Sequence, residues 1–346
     1  MRCLTLAEEL RNAGSSITFV CRDLPGNLLK VICDREYQVA VLRGVSPPWS
    51  DKPGEGWQQD LKETISALQP HAPFDWIVVD HYQIERQWES SARAVGRRIM
   101  VIDDLANRPH DCDLLLDQNY YRDAGIRYRG LVSERCKQFL GPTFALLRKE
   151  FRDLHVAPRE RLHVRRALVF FGGADPTGET EKVLRALRST EFSELKIDVV
   201  LGISNPRVET IRRLCSAIPN VILHVQTDRM VTLMSHADLA IGAGGAATWE
   251  RLKCGLPTIT VVTAPNQRET TMDLATVGAI WYLGHAEEVS PSDYEKALRE
   301  AVRQPEKLTE ISRKATAIMG SVSPHTRSDG FSQLVRAIVE PAISIP

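Results

Sequence analysis

Ala167-Leu168-Val169-Phe170-Phe171-Gly172-Gly173-Ala174-Asp175-Pro176-Thr177-Gly178 runs from an apolar, β-rich segment straight into a glycine turn. An amphipathic helical pattern follows, so the stretch reads as a strand, a tight turn and a helix. Leu239–Gly242 repeats the arrangement, passing through Ala243-Gly244-Gly245-Ala246-Ala247 into Thr248-Trp249-Glu250. Working outward, further β-rich runs fall at Ile197–Leu201, Val221–Val225, Thr258–Val262 and Ile280–Leu283. Earlier in the chain they fall at Ile17–Cys21, Gln38–Leu42, Trp76–Asp80, Arg98–Ile102 and Leu114–Asp117. Helical patterns such as Thr5–Ala13, Gln58–Leu68 and Glu85–Val95 lie between them. Alternation of apolar strands with helices predicts α/β architecture, with parallel sheets covered on both faces.

The 346 residues suffice for two such domains. The expected boundaries are residues 1–150 and 166–340, with the charged, strand-poor stretch 148–166 between them read as a helix plus linker. A last helix is expected at about Thr326–Val339, followed by a frayed tail. Lys plus Arg and Asp plus Glu both number 44, which argues against a nucleic-acid partner. No apolar run nears the ~20 residues that span a bilayer. The seven scattered cysteines contain no C-x-x-C pair and read as reduced thiols of a cytoplasmic protein. A metal site at His110 and Cys112 lacks a second ligand pair at zinc-like spacing, so no metal is expected.

The opening is unusual. Met1–Ala13 reads as a helix closed by Gly14, whereas a doubly wound domain ordinarily begins with a strand and a glycine turn. Either this domain begins differently or its first strand and loop are lacking.

Ligands of open α/β sheets bind beyond the carboxyl ends of the strands, so the residues there are the candidates. Gly172, Gly173 and Ala174 let backbone N–H groups approach a phosphate; Thr177 or Asp175 caps the next helix, or the whole is an ordinary glycine turn. Gly244 and Gly245 form the second such loop. Thr248 there binds phosphate or caps, and Glu250 accepts ribose hydroxyls or is a first-turn acid. Asn266 and Gln267 offer amides to phosphate or sugar, or cap a helix. Val225-Gln226 could meet a base through the backbone. In the first half, Asp80, His81 and Tyr82 bring a carboxylate, an imidazole and a phenol to one strand end. Asp103-Asp104 would bind a cation or make a turn. Asp117-Gln118-Asn119 with Tyr120-Tyr121 would suit carbohydrate, the tyrosines offering stacking faces, or form a packed turn.

These segments, together with Met1-Arg2-Cys3-Leu4 and Gly141-Pro142, follow the order found in UDP-2,4-diacetamido-2,4,6-trideoxy-β-L-altropyranose hydrolases, and the chain resembles that family from Met1 to about Leu283. The resemblance implies two Rossmann-like domains of the B-type glycosyltransferase kind and a nucleotide site in the cleft between them. It also implies inverting attack of water on a UDP-linked sugar in pseudaminic acid biosynthesis, with no organic cofactor. It places Arg2 in the first loop-to-helix segment, Tyr82 near the sugar, the two glycine loops and Asn266 near the phosphates, and Glu250 at the ribose. The family's base is a His in a Gly-His-x-x-Arg loop. Arg2 matches the Arg of that motif, and the His has no counterpart in this sequence. His81 is the nearest candidate to replace it. A sugar transferase, or a sugar-nucleotide-binding protein without turnover, remains the alternative.

Overall fold

The computed structural model describes residues 1–24, 26–43, 56–154, 160, 163–320 and 330–340. The chain divides into two compact units. Unit 1 comprises Met1–Asn119, Asp123–Leu146 and the C-terminal helix Gly330–Val339; unit 2 comprises Tyr120–Arg122 and Leu147–Ser323.

In unit 1 the strands are β1 (Thr18–Arg22), β2 (Gln38–Leu42), β3 (Phe74–Val79), β4 (Gly96–Ile102), β5 (Leu114–Asp117) and β6 (Lys137–Leu140). In unit 2 they are β7 (Arg166–Phe170), β8 (Lys196–Leu201), β9 (Val221–Val225), β10 (Leu239–Ala243), β11 (Thr258–Val262) and β12 (Trp281–His285). All pairings are parallel. Unit 2 is a single sheet in the order β12-β11-β10-β7-β8-β9. β10 and β11 are buried at every position, as expected for strands covered on both faces.

Unit 1 holds a four-stranded sheet, β3-β4-β5-β6, and a separate pair, β1-β2. Side chains of β4 and β5 alternate between two cores. Met100, Ile102, Leu114 and Leu116 face one; Ile99, Val101 and Leu115 face the other. The helix Arg2–Asn12 serves both sheets. Leu6 and Leu10 pack against β4 and β5, while Leu4 and Ala7 pack in the cluster with Phe19 and Val39 of β1 and β2. The helix ends as its sequence predicts. Gly14 takes φ +90°, its N–H donates to Arg11 O, and Ser15 N–H donates to Leu10 O at 2.9 Å.

One expectation needs correction. The last helix does not belong to the second domain. Phe331, Leu334 and Ile338 bury against Met100, Leu114 and Leu6, and Trp76 Nε1 donates to Ile338 O at 2.9 Å, so it completes the core of unit 1. The stretch 148–166, read as a helix plus linker, does begin with a short helix, Lys149–Arg152; its residues 155–159 and 161–162 lie outside the described residues, as do 326–329 at the last helix's expected start. Strand β6 gave no usable sequence signal. Lys137-Gln138-Phe139-Leu140 is short and half polar, and it is a strand because β5 offers it a backbone edge. Among the described residues no helix is long and apolar enough to cross a membrane.

Because Leu6 is 2 % exposed and its helix serves both sheets of unit 1, Leu6→Ala should cost about 2–5 kcal/mol in denaturant unfolding. The exposed Asn12→Ala on the same helix should change stability by no more than about 0.5 kcal/mol.

Candidate functional site

In unit 2 the strand order reverses between β7 and β10. The chain runs outward through β8 and β9, then returns to add β10, β11 and β12 on the other side of β7. Such a reversal opens a crevice at the carboxyl ends of the two diverging strands. Gly242 is in register with Phe170, so the glycine loops Gly172–Ala174 and Gly244–Ala246 leave the sheet side by side. Gly172 has φ +91°, which a side chain would strain. A Cβ at Gly244 would collide with Thr271 Oγ1.

The first loop is braced from behind. Asp175 accepts the N–H groups of Glu179 and Thr180, each at 3.0 Å, so it rather than Thr177 caps the helix Glu179–Ala186. Asn205 Nδ2 donates to Ala174 O at 3.0 Å, and Arg207 donates to the carbonyls of Asp175 and Pro176. In the second loop, Thr248 is 2 % exposed and turned inward: its hydroxyl donates to Ala243 O and accepts from Arg251. Gln267 Oε1 accepts Thr263 N–H at 3.0 Å, while its Nε2 reaches toward Gly245. Asn266 is exposed beside it, at the start of the helix Arg268–Thr276. Gln226 is also exposed, with φ +53°, and its side chain accepts Ile203 N–H at 3.4 Å.

Glu250, on the helix Ala247–Lys253, meets a partner the sequence reading missed. Arg148 Nε and Nη2 both donate to its Oε1, at 3.1 and 3.0 Å. Burial raises the Glu250 pKa against the pull of this guanidinium. Arg148 sits in the charged stretch that reads as linker, and Arg251 follows an acid in an ordinary-looking helix. Neither position carried a motif.

In unit 1 the acids after β3 and β4 gather around Arg2. Its Nε and Nη2 bind the two oxygens of Asp80 at 3.1 and 2.6 Å, and Nη1 lies 3.5 Å from Asp104. Tyr82 Oη donates to Asp104 at 3.3 Å. Burial works to raise both carboxyls. At Asp80 the Arg2 bond and charge outweigh it and the pKa falls; at Asp104 burial prevails and the pKa rises. His81 lies at the same strand end but is turned aside, with Nδ1 accepting Gln83 N–H at 3.2 Å; desolvation lowers its pKa despite Asp60.

The third acidic turn is not a sugar-facing surface. Asp117, Gln118, Asn119 and Tyr121 are all buried, so the packed-turn reading holds for them. Gln118 Oε1 accepts Leu146 N–H, and within unit 2 Tyr120 O accepts from the Thr270 hydroxyl. Asp103 is equally internal. It accepts the N–H groups of Leu105 and Ala106 and pairs with Arg108 at 2.8 Å. Among the described residues no cluster of His, Cys, Asp and Glu could hold a metal ion; His110 pairs with Glu89, and Cys112 faces Cys136 at 3.5 Å.

Tyr128 Oη lies 3.1 Å from Asp103 and 3.0 Å from Asp117. One hydroxyl proton cannot serve two carboxylates. At Asp103, burial is outweighed by Arg108 and Ala106 N–H, and the group stays ionised; at Asp117, burial dominates and lifts the pKa to about 7. Below about pH 7, where Asp117 holds a proton, both bridges can form at once: Tyr128 donates to Asp103 and the Asp117 carboxyl donates to Tyr128. The folded-state pKa of Asp117 exceeds its unfolded value, so its stabilising proton is fully present below about pH 4 and lost as pH rises through about 7. Between those limits this group should cost the fold up to about 1.4 kcal/mol per pH unit. Asp117→Asn keeps a donor for Tyr128 and an acceptor for Asn119 N–H. It should flatten that slope in unfolding titrations and leave the variant more stable than the parent at pH 8.

Residues 169–325 match the Glycosyltransferase family 28 C-terminal domain. The chain is similar to the UDP-2,4-diacetamido-2,4,6-trideoxy-beta-L-altropyranose hydrolase of Campylobacter jejuni, at 24% identity over 80% of this chain and 90% of that protein. It is also similar to the spore coat polysaccharide biosynthesis protein SpsG of Bacillus subtilis, at 30% identity over 47% of this chain and 48% of that one. Among solved structures it resembles MurG of Acinetobacter baumannii, with a TM-score of 0.61 at 16% identity, covering 97% of this chain and 94% of that one. It likewise resembles Arabidopsis thaliana UGT89C1 complexed with UDP-L-rhamnose, with a TM-score of 0.66 at 10% identity, covering 98% and 94%. The chain thus has the two-domain GT-B fold, and the family 28 match lies on the unit that carries both glycine loops.

Proposed function

We propose that the chain hydrolyses a UDP-linked diacetamido-trideoxy sugar to UDP and free sugar, a step of pseudaminic acid biosynthesis. The observation that carries this reading is the pair of glycine loops side by side at the reversal of strand order, with Glu250 on the helix that follows the second. The similarity to the Campylobacter hydrolase, over most of both chains, supports the choice of reaction.

In this reading unit 2 holds the nucleotide. Backbone amides of Gly172, Gly173, Ala174, Gly244 and Gly245 face the diphosphate, Asn266 and Gln267 flank it, and Glu250 Oε2, the oxygen Arg148 leaves untouched, accepts from ribose. Unit 1 holds sugar and water. The water oxygen attacks the anomeric carbon as the bond to the diphosphate breaks, and the bonding pair leaves on UDP. Charge on the departing group is met by the loop amides. The water proton passes to a base. Asp104 suits that task, since burial raises its pKa and the Tyr82 hydroxyl and Arg2 orient it. His81 suits it less, because its Nδ1 lone pair is already engaged. The family 28 match favours a second reading, transfer of the sugar to an acceptor hydroxyl. UDP released from the UDP-sugar without any acceptor supports hydrolysis; release only with an acceptor supports transfer; binding without release would defeat both.

Glu250→Ala should weaken UDP binding by about 1–3 kcal/mol in calorimetry, the range for a hydrogen bond to a charged group. Unchanged affinity would remove Glu250 from the ribose. Tyr82→Phe should lower kcat/KM for the UDP-sugar and leave UDP affinity intact. A parallel loss of UDP affinity would place Tyr82 elsewhere.

A further inference from the structure

Arg251 is among the largest fully buried side chains, with 1 % of its surface exposed. Both of its hydrogen bonds come from Nη2, to Ala243 O at 2.5 Å and to Thr248 Oγ1 at 3.0 Å. Nε and Nη1 are buried with no partner. Among the described residues no carboxylate lies within ion-pair distance of it: the adjacent Glu250 is bound by Arg148 instead. A buried cation without a counter-charge is a heavy cost, and an apolar side chain of similar volume would avoid it. The guanidinium also dictates its surroundings. A Cβ on Gly242 would stand 2.6 Å from Nη1 and 2.5 Å from Phe170 O, so only glycine admits the charge at this point. That point is where β7 and β10 end side by side, beneath both glycine loops.

We propose that Arg251 is the fixed counter-charge of a diphosphate held over the Gly172–Ala174 and Gly244–Ala246 loops. This rests on the nucleotide-sugar reading of the same site. Arg251 does not touch the anion. It acts as a positioning residue through the low-dielectric interior, where a charge reaches farther than it does in water. Ligand binding supplies a counter-charge beyond that of Glu250, whose carboxylate is already bound by Arg148.

The test uses the full chain and three probes: inorganic pyrophosphate, UDP and uridine. Dissociation constants and ligand-free Tm are measured for the parent, Arg251→Met and Arg251→Gln. The neutral variants should bind pyrophosphate and UDP at least tenfold more weakly and uridine within about twofold of the parent, with a ligand-free Tm equal to or above it. A merely structural arginine would lower Tm and weaken all three probes alike, which overturns the proposal, as would failure of both neutral variants to fold. Parent protein that binds pyrophosphate but neither UDP nor uridine, with the pyrophosphate affinity lost in the variants, supports the role of Arg251 and defeats the nucleotide reading. Parent protein that binds none of the three overturns the anion site itself.

Discussion

The parallel pairing of β7 with β10 is the constraint on which unit 2 depends. These strands are far apart in sequence, and the backbone ladder between them brings the two glycine loops to one level. The ladder is close enough at Gly242 that no side chain fits. From that contact the remaining features follow. The Asp175 cap fixes the first loop, the inward hydroxyl of Thr248 fixes the second, and Arg251 is walled in beneath them. A crevice built this way is rigid, because its walls are main chain held by main chain.

Unit 1 solves a different electrostatic problem. Asp80, Asp103, Asp104 and Asp117 all lie at or just beyond the ends of β3, β4 and β5, yet their surroundings drive them apart. Two guanidiniums, Arg2 and Arg108, keep Asp80 and Asp103 ionised. Burial lifts the Asp117 pKa to about 7, so its carboxyl carries a proton only below that pH. Asp104 stands between, shared by Arg2 and Tyr82. Similar residues on one edge thus sit in different electrostatic surroundings, two held ionised by guanidiniums and two raised by burial.

The architecture was legible because its signals are local. Apolar runs ending in Gly172-Gly173 or Gly244-Gly245 declare strand, turn and helix without any knowledge of what pairs with what. Boundaries shifted by a residue or two; β2, β5, β9 and β11 fell where the pattern put them. Arg2, Asp80, Asp104 and Tyr82 could be picked out singly, but their convergence is a tertiary fact. What stayed hidden depends on burial. Nothing in Asp117-Gln118-Asn119-Tyr120-Tyr121 says that the turn is packed inside, and a polar run reads as surface by default. Arg148 and Arg251 look like two of many arginines until one proves to grip Glu250 and the other, among the described residues, to make no ion pair. The last helix was assigned by its place in the chain, whereas its apolar face follows the core that fits it.

The separation of β1-β2 from the other strands bears on how unit 1 opens. Among the described residues these two strands share no backbone ladder with β3–β6. Their ties to the rest run through side chains: the helix Arg2–Asn12 on one side, and on the other Arg22, which grips Asp60 and Glu63 of the helix Trp57–Leu68 at 2.9 and 2.7 Å. Backbone ladders propagate cooperativity; side-chain contacts can break individually. A pair held this way is expected to open locally, its amides exchanging with solvent while β4 and β5 stay protected. The helix that carries Arg2 thus rests partly on the pair of strands most open to such local loosening.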